Sequence, residues 1–131
     1  MSKGFNEHQG RLRSLASFGK DLARRARSKC ELCETSGVPL KTFEVAPVTN
    51  PPEFEHLILV CEVCAECLKK VAYSEPARWH CLNNTVWSET PAVQVVAVRI
   101  LRELAKTEPW ATDLLESVYL EPEVKAWVEA V

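Results

Sequence analysis

Apolar residues recur along this chain at two spacings, and the switches between them mark out its elements. From about Asn6 to Ser28, Leu12, Leu15, Leu22 and Ala26 return near one face at helical spacing, which predicts a helix weakened locally at Gly19. Leu40 to Val45 and Leu57 to Val60 are short, β-branched-rich apolar runs, which predict two strands of a hairpin. Between them VAPVTNPPEFEH carries Pro47, Pro51 and Pro52, whose missing N–H groups forbid regular pairing. Helical spacing returns in EVCAECLKKVAY, and the turn-rich, aromatic stretch YSEPARWHCLNNTVWSETP follows.

Thr90 before Pro91 predicts a helix start, with Thr90 as the capping side chain and proline at the first helical position. The helix PAVQVVAVRILRELAK is expected to bury Val93, Val96, Ala97, Ile100 and Leu104. Thr107 and Pro109 predict a restart with Trp110, Leu114, Leu115 and Val118 as its apolar stripe. A third helix near Pro122 would bury Val124, Trp127 and Val128, making residues 88–131 a small helical bundle.

With 131 residues, 47% hydrophobic and 26% charged, the composition is that of an ordinary soluble globular chain and predicts one compact unit. The net charge of −2 hides a polarity. Residues 1–29 hold eight Lys/Arg against Glu7 and Asp21, a net of +6, which leaves −8 for the remainder. Arg11, Arg13, Lys20, Arg24, Arg25, Arg27 and Lys29 are therefore the candidate contacts for nucleic acid or an acidic protein, the plain alternative being a solvated helix face. Phe18 is the one aromatic residue within this run, which is insufficient for base stacking. The polar MSKGFNEHQG start has no secretory pattern and no apolar run is long enough to span a bilayer, so the expected location is the cytoplasm, with no membrane partner.

In a reducing compartment, paired cysteines point to metal before disulfides. CELC and CEVCAEC place Cys30 with Cys33, and Cys61 with Cys64, either side of a 27-residue interval. A turn holding two thiolates at this spacing can aim both at one ion. Cys61 would end the second strand and Cys64 enter a helix, whose N-terminus favours thiolates. Four such ligands predict one structural Zn²⁺ with no open position for catalysis. Cys67 could replace Cys61, but lies one turn deeper and reads as a small buried hydrophobe. Trp79, His80, Cys81 and Trp87 could line a further site, although adjacent His80 and Cys81 rarely aim at one ion and core packing explains them as well.

The expected fold is α+β and mostly α: a treble-clef or zinc-ribbon finger (30–73) between a basic helix (1–29) and a helical C-terminal region (74–131). The finger also resembles the ββα-metal scaffold of HNH nucleases. That alignment puts Phe43 and Glu44 at the family's His or Asp-His pair, His56 at its Asn and Ala65 at its final His. The changes remove the general base and the catalytic metal ligands, so the resemblance implies a scaffold without nuclease activity.

Across nearly the whole chain, RARSKCELCETSG, LVCEVCAEC, WHCLN, VWSETPAVQVVAVRILREL, the WA of Trp110-Ala111 and YLEPEV together resemble the PhnA family of alkylphosphonate-operon proteins, in its N-terminal zinc-ribbon portion. The β-rich C-terminal domain of longer members has no counterpart among these residues. The resemblance implies a zinc-binding protein of uncharacterised role, associated by operon context with phosphonate use, and does not imply cleavage of a carbon–phosphorus bond. Two functional classes follow: a non-enzymatic zinc-stabilised binding module, and an enzyme or accessory protein of phosphonate or nucleic-acid metabolism using Glu44, His56 or His80.

Overall fold

The computed structural model describes residues 3–131, with side chains from His8 onward. Lys3 and Glu7, which enter the charge of the basic segment, have side chains outside the described part. Two helices, α1 (Lys3–Ser17) and α2 (Gly19–Ala26), precede the strands β1 (Leu40–Glu44) and β2 (Leu57–Cys61). Helix α3 (Glu62–Lys69) and a run of short 3-10 turns lead through the single turn α4 (Leu82–Thr85) to α5 (Pro91–Leu104), α6 (Pro109–Ser117) and α7 (Pro122–Glu129). This is a mostly helical α+β fold of zinc-ribbon or treble-clef type, with the hairpin packed among short helices and a bundle at the C-terminal end. None of the described helices is long and apolar enough to cross a membrane.

Strand β2 organises the packing. It pairs antiparallel with β1 from Leu40↔Cys61 to Glu44↔Leu57, and all five of its residues are buried. Because successive strand side chains point to opposite faces, its alternate residues serve two cores. Leu57 and Leu59 face a small cluster with Leu22, Leu15 and Phe18 of the N-terminal helices. Ile58 and Val60 face the main core with Trp79, Leu82 and the α5 residues. The far edge of β2 is also covered: Glu31 N–H donates to Leu59 O at 2.8 Å, and Leu59 N–H donates back to the Glu31 carboxylate at 2.9 Å.

The predicted helix over Asn6–Ser28 is instead two helices meeting at Phe18. Gly19 lowers helix propensity at the junction, and the break frees α2 to turn Leu22, fully buried, onto β2. Leu12, expected on the same buried face, is 46% exposed, and it is Leu15 of α1 that packs against the Leu22 cluster. Helix α5 also differs from the expected one-sided stripe. Besides Val93, Val96, Ala97, Ile100 and Leu104, it buries Ala92, Val95, Val98 and Leu101, since β2, α4, α6 and α7 surround it. A helix apolar on most of its circumference belongs in an interior. Thr90 stands at its N-cap without the expected side-chain bond; its own N–H donates to Ser88 Oγ at 3.1 Å. Of the α6 stripe, Trp110, Leu114 and Leu115 pack on the core from half-buried positions, Val118 lies just past the helix end, and Ala111 is the fully buried residue.

The loop from Val45 to His56 is tied down at three places. Val45 N–H extends the ladder to His56 O at 2.9 Å, Arg11 donates to Thr49 O at 3.0 Å, and Trp127 Nε1–H reaches across from α7 to Ala46 O at 3.0 Å. Arg99 of α5 satisfies the carbonyls of Trp127 and Val128 near the end of α7. Burial of that guanidinium pushes its pKa below the ordinary arginine value.

Arg25 is the main junction of the N-terminal half. Its guanidinium holds the Glu31 carboxylate in a fork at 2.7 and 3.0 Å, donates to Leu57 O at 2.7 Å, and lies over the Phe54 ring. The Glu31 side chain is only 7% exposed, so removing this partner would leave a buried carboxylate without its ion pair. Arg25→Ala is expected to destabilise the metal-loaded protein by about 3 kcal/mol in urea titration, because it strands a buried carboxylate. Arg25→Lys is expected to recover only part of the loss, lacking the planar fork.

Candidate metal centre

The first knuckle is built by backbone geometry that the sequence does not advertise. Arg27 and Ser28, with φ of 56° and 58°, end α2 in the left-handed region, and a single bridge between Lys29 and Ser36 closes the loop that carries Cys30 and Cys33. Within it Cys30 N–H donates to Thr35 O at 2.9 Å and Glu34 N–H to Cys30 O at 2.8 Å. Glu34 takes a φ of 66°, a conformation that costs a side chain about 1–2 kcal/mol, and Gly37 takes 73°, where glycine has no such cost. The second knuckle arises where β2 stops: Cys61 is the last strand residue and the N-cap of α3, with Cys64 one turn in.

The sulfur atoms of Cys30, Cys33, Cys61 and Cys64 all lie within 4.8 Å of one another. A zinc–thiolate bond of about 2.3 Å makes the edge of a tetrahedron about 3.8 Å. The Cys33–Cys61 sulfur separation is 3.7 Å. Each sulfur also has an outer partner. Cys33 N–H donates to Cys30 Sγ and Cys64 N–H to Cys61 Sγ, both at 3.4 Å. Cys33 Sγ lies 3.1 Å from Thr35 Oγ1, and Arg78 Nη2 stands 3.2 Å from Cys64 Sγ. The donor set is four thiols with no carboxylate or imidazole, which suits a single structural ion such as Zn²⁺ and leaves no position for a water ligand.

The protonation pattern shows why these sulfurs need a cation. Cys30 is held down to about 4, chiefly by a hydrogen bond from the Cys64 thiol and, against the opposing effect of burial, by neighbouring backbone N–H groups. The same bond to Cys30, then burial and the Cys30 charge, push Cys64 up, with Arg78 opposing. Burial likewise raises Cys61. Four thiolates this close cannot all ionise on their own; a divalent ion removes the conflict by taking all four.

The other residues singled out from sequence lie in different surroundings. Cys67 is half-buried against the core and outside the four-sulfur cluster. Cys81 packs on the core as well, its thiol pushed up to about 11 by burial and by the charge of Cys33. Trp79 is fully buried and donates Nε1–H to Ser74 Oγ at 2.8 Å, whereas Trp87 is exposed. His80 meets Trp110 edge-on, His56 stacks obliquely on Trp127, and Glu44 pairs with Arg11. Of the seven candidate basic contacts, Arg11 and Arg25 spend their guanidinium groups on Glu44 and Glu31, while Arg13, Lys20, Arg24, Arg27 and Lys29 are exposed. Arg24 also meets exposed Asp21 at 3.6 Å, a solvated pair of little energetic weight.

Sequence reasoning missed two residues that bear on this centre. Thr85, a buried polar residue, donates to Leu32 O at 2.7 Å, fastening the C-terminal half to the first knuckle. Arg78 reaches the second knuckle from the turn over Pro76–Cys81. Its approach depends on a fold contact between positions 14 residues apart, and no local motif announces it.

One Zn²⁺ per chain is expected on metal analysis near neutral pH. Cys30→Ser, Cys33→Ser, Cys61→Ser or Cys64→Ser should each lose it, and Cys67→Ser or Cys81→Ser should keep it. Acid should release the ion as protons compete for the thiolates, the bound fraction falling progressively with pH. In the metal-free chain Cys30 acts in the same direction: its lowered pKa gives a stabilisation complete above the ordinary value of 9.0 and lost as pH falls through about 4. Since structural zinc contributes about 10–16 kcal/mol and a whole domain is stable by about 5–15 kcal/mol, chelation should unfold the finger, seen as loss of its circular dichroism.

Comparison with protein-family models, with curated proteins and with solved structures finds no match. The conclusion therefore rests on the geometry of Cys30, Cys33, Cys61 and Cys64: the chain carries a buried four-cysteine centre suited to one structural metal ion, in a zinc-ribbon-like module.

Proposed function

We propose that the chain is a non-enzymatic, zinc-stabilised binding module that contacts nucleic acid or an acidic protein through its N-terminal basic face. The observation that carries this reading is the five exposed cations, Arg13, Lys20, Arg24, Arg27 and Lys29, on the segment leading into a closed four-cysteine centre. A centre whose positions are all filled by protein sulfur supports a scaffolding role over chemistry at the metal. Electrostatic recognition needs only that the charges be held near one another on a stable element. The strings from RARSKCELCETSG to YLEPEV add the resemblance to PhnA proteins of alkylphosphonate operons, with a cytoplasmic location and residues 1–131 acting as one unit.

The competing reading, an enzyme or accessory protein that includes a degenerate HNH-type nuclease, draws less support. Its would-be participants Glu44, His56 and His80 each pack against another residue: Arg11, Trp127 and Trp110 respectively.

The test is titration of zinc-loaded protein with mixed-sequence DNA and RNA at several salt concentrations. Binding should weaken with salt by a slope of about −0.9 per neutralised phosphate on duplex DNA. Replacing Arg13, Arg24 and Arg27 with Gln should flatten that slope by roughly one unit for each lost phosphate contact, while Arg11→Gln should act through stability instead. Absence of salt-sensitive binding near physiological ionic strength would rule out the nucleic-acid form and leave the acidic protein.

A further inference from the structure

Cys64 is the sulfur of the cluster least able to find its own compensation. It is fully buried, so water cannot reach it, and the two knuckle N–H groups are already directed at Cys30 and Cys61. The donor that does reach it is charged: Arg78 Nη2 lies 3.2 Å from Cys64 Sγ and 3.9 Å from Cys61 Sγ. In this placement Arg78 Nε is buried without a hydrogen-bond partner among the described residues. Arginine stays charged in any protein environment, so desolvating it is unfavourable unless negative charge stands nearby. A divalent ion held by four thiolates carries a net charge of −2, and Arg78 is placed to halve it.

We propose that Arg78 is the positioning cation of the metal centre: it shields the Cys64 and Cys61 thiolates, slows loss of the ion, and makes closure of the C-terminal half depend on the metal. It comes from the turn over Pro76–Cys81, and the adjacent residue Trp79 is fully buried in the core that α5 shares with Cys61 and Cys64. The charge on the centre thus draws in the same turn that seats Trp79. Hydrogen bonds to metal-bound groups set ligand basicity, and their removal typically costs 10–100-fold in metal affinity. This inference rests on the reading of the four cysteines as a zinc site.

The test uses the full chain loaded with Zn²⁺ or with Co²⁺, whose thiolate charge-transfer bands report the electron density on sulfur. Arg78→Met, which keeps bulk and removes charge, should speed ion release to a chelator at least 10-fold and move the Co²⁺ bands to lower energy. Arg78→Lys should restore part of each effect, and serves as the comparison if Arg78→Met does not fold. Thr85→Val removes a different tie between the C-terminal half and the first knuckle, the hydrogen bond to Leu32 O, without touching a sulfur. It should lower the melting temperature and leave the bands and the release rate as in the wild type. Wild-type release and wild-type bands in Arg78→Met, or the same changes in Thr85→Val, would overturn the proposal while leaving the zinc site standing. Failure of the wild-type chain to take up one Zn²⁺ would overturn both.

Discussion

Four sulfur atoms drawn within 4.8 Å of one another impose a charge problem that the surrounding structure is arranged to meet. Thiolates bind metal and thiols do not, yet thiolates this close repel unless a cation and hydrogen-bond donors balance them. Each of the four has one principal outer partner: two backbone N–H groups from the knuckle turns, the Thr35 hydroxyl, and Arg78. The turns provide the neutral donors because each knuckle folds its own N–H back towards its first sulfur. The charged donor goes to a fully buried sulfur, where the surrounding dielectric is low and each unit of charge matters more than in water.

Strand β2 connects this centre to everything else. Its last residue is one of the four clustered cysteines, its two faces supply two cores, and its outer edge is occupied by Glu31 from the first knuckle. Arg25 then ties that edge to α2 by holding both the Glu31 carboxylate and Leu57 O. A strand buried on both faces and covered at its outer edge offers no route for pairing with another chain. The basic segment is therefore anchored here through one of its own cations, while Arg13, Lys20, Arg24, Arg27 and Lys29 are exposed. Arg11 repeats the arrangement at the far end of the hairpin, pairing with Glu44 and gripping the proline loop at Thr49.

The polarity of the chain has a structural counterpart. Structural roles take the positive charges that lie nearest the hairpin, and the outward ones sit on α1, on α2 and in the left-handed turn before Cys30. Metal binding and presentation of the basic face are thus linked through β2: losing the ion would loosen the knuckle that carries Glu31, and with it the partner of Arg25.

The sequence by itself determined the features that depend on neighbours within a few residues. The CELC and CEVC spacings, the apolar runs beginning at Leu40 and Leu57, and proline at 91, 109 and 122 each act locally through ring geometry, strand alternation or a missing N–H. Tertiary structure decided what a residue does when its partner is remote. Arg25 and Arg27 look alike in RRAR, yet one is clamped between Glu31 and Leu57 O and the other is exposed, because the end of α2 directs only one of them at β2. Arg78 looked like one more polar residue in a turn-rich stretch, and Leu12 like part of a buried stripe. Burial of Trp79 in the core beside Cys61 and Cys64 brings Arg78's turn to Cys64, and Leu12 is exposed. Local pattern fixes elements and ligand spacing; the assignment of charge, from solvent to sulfur or carboxylate, depends on distances that only the folded chain sets.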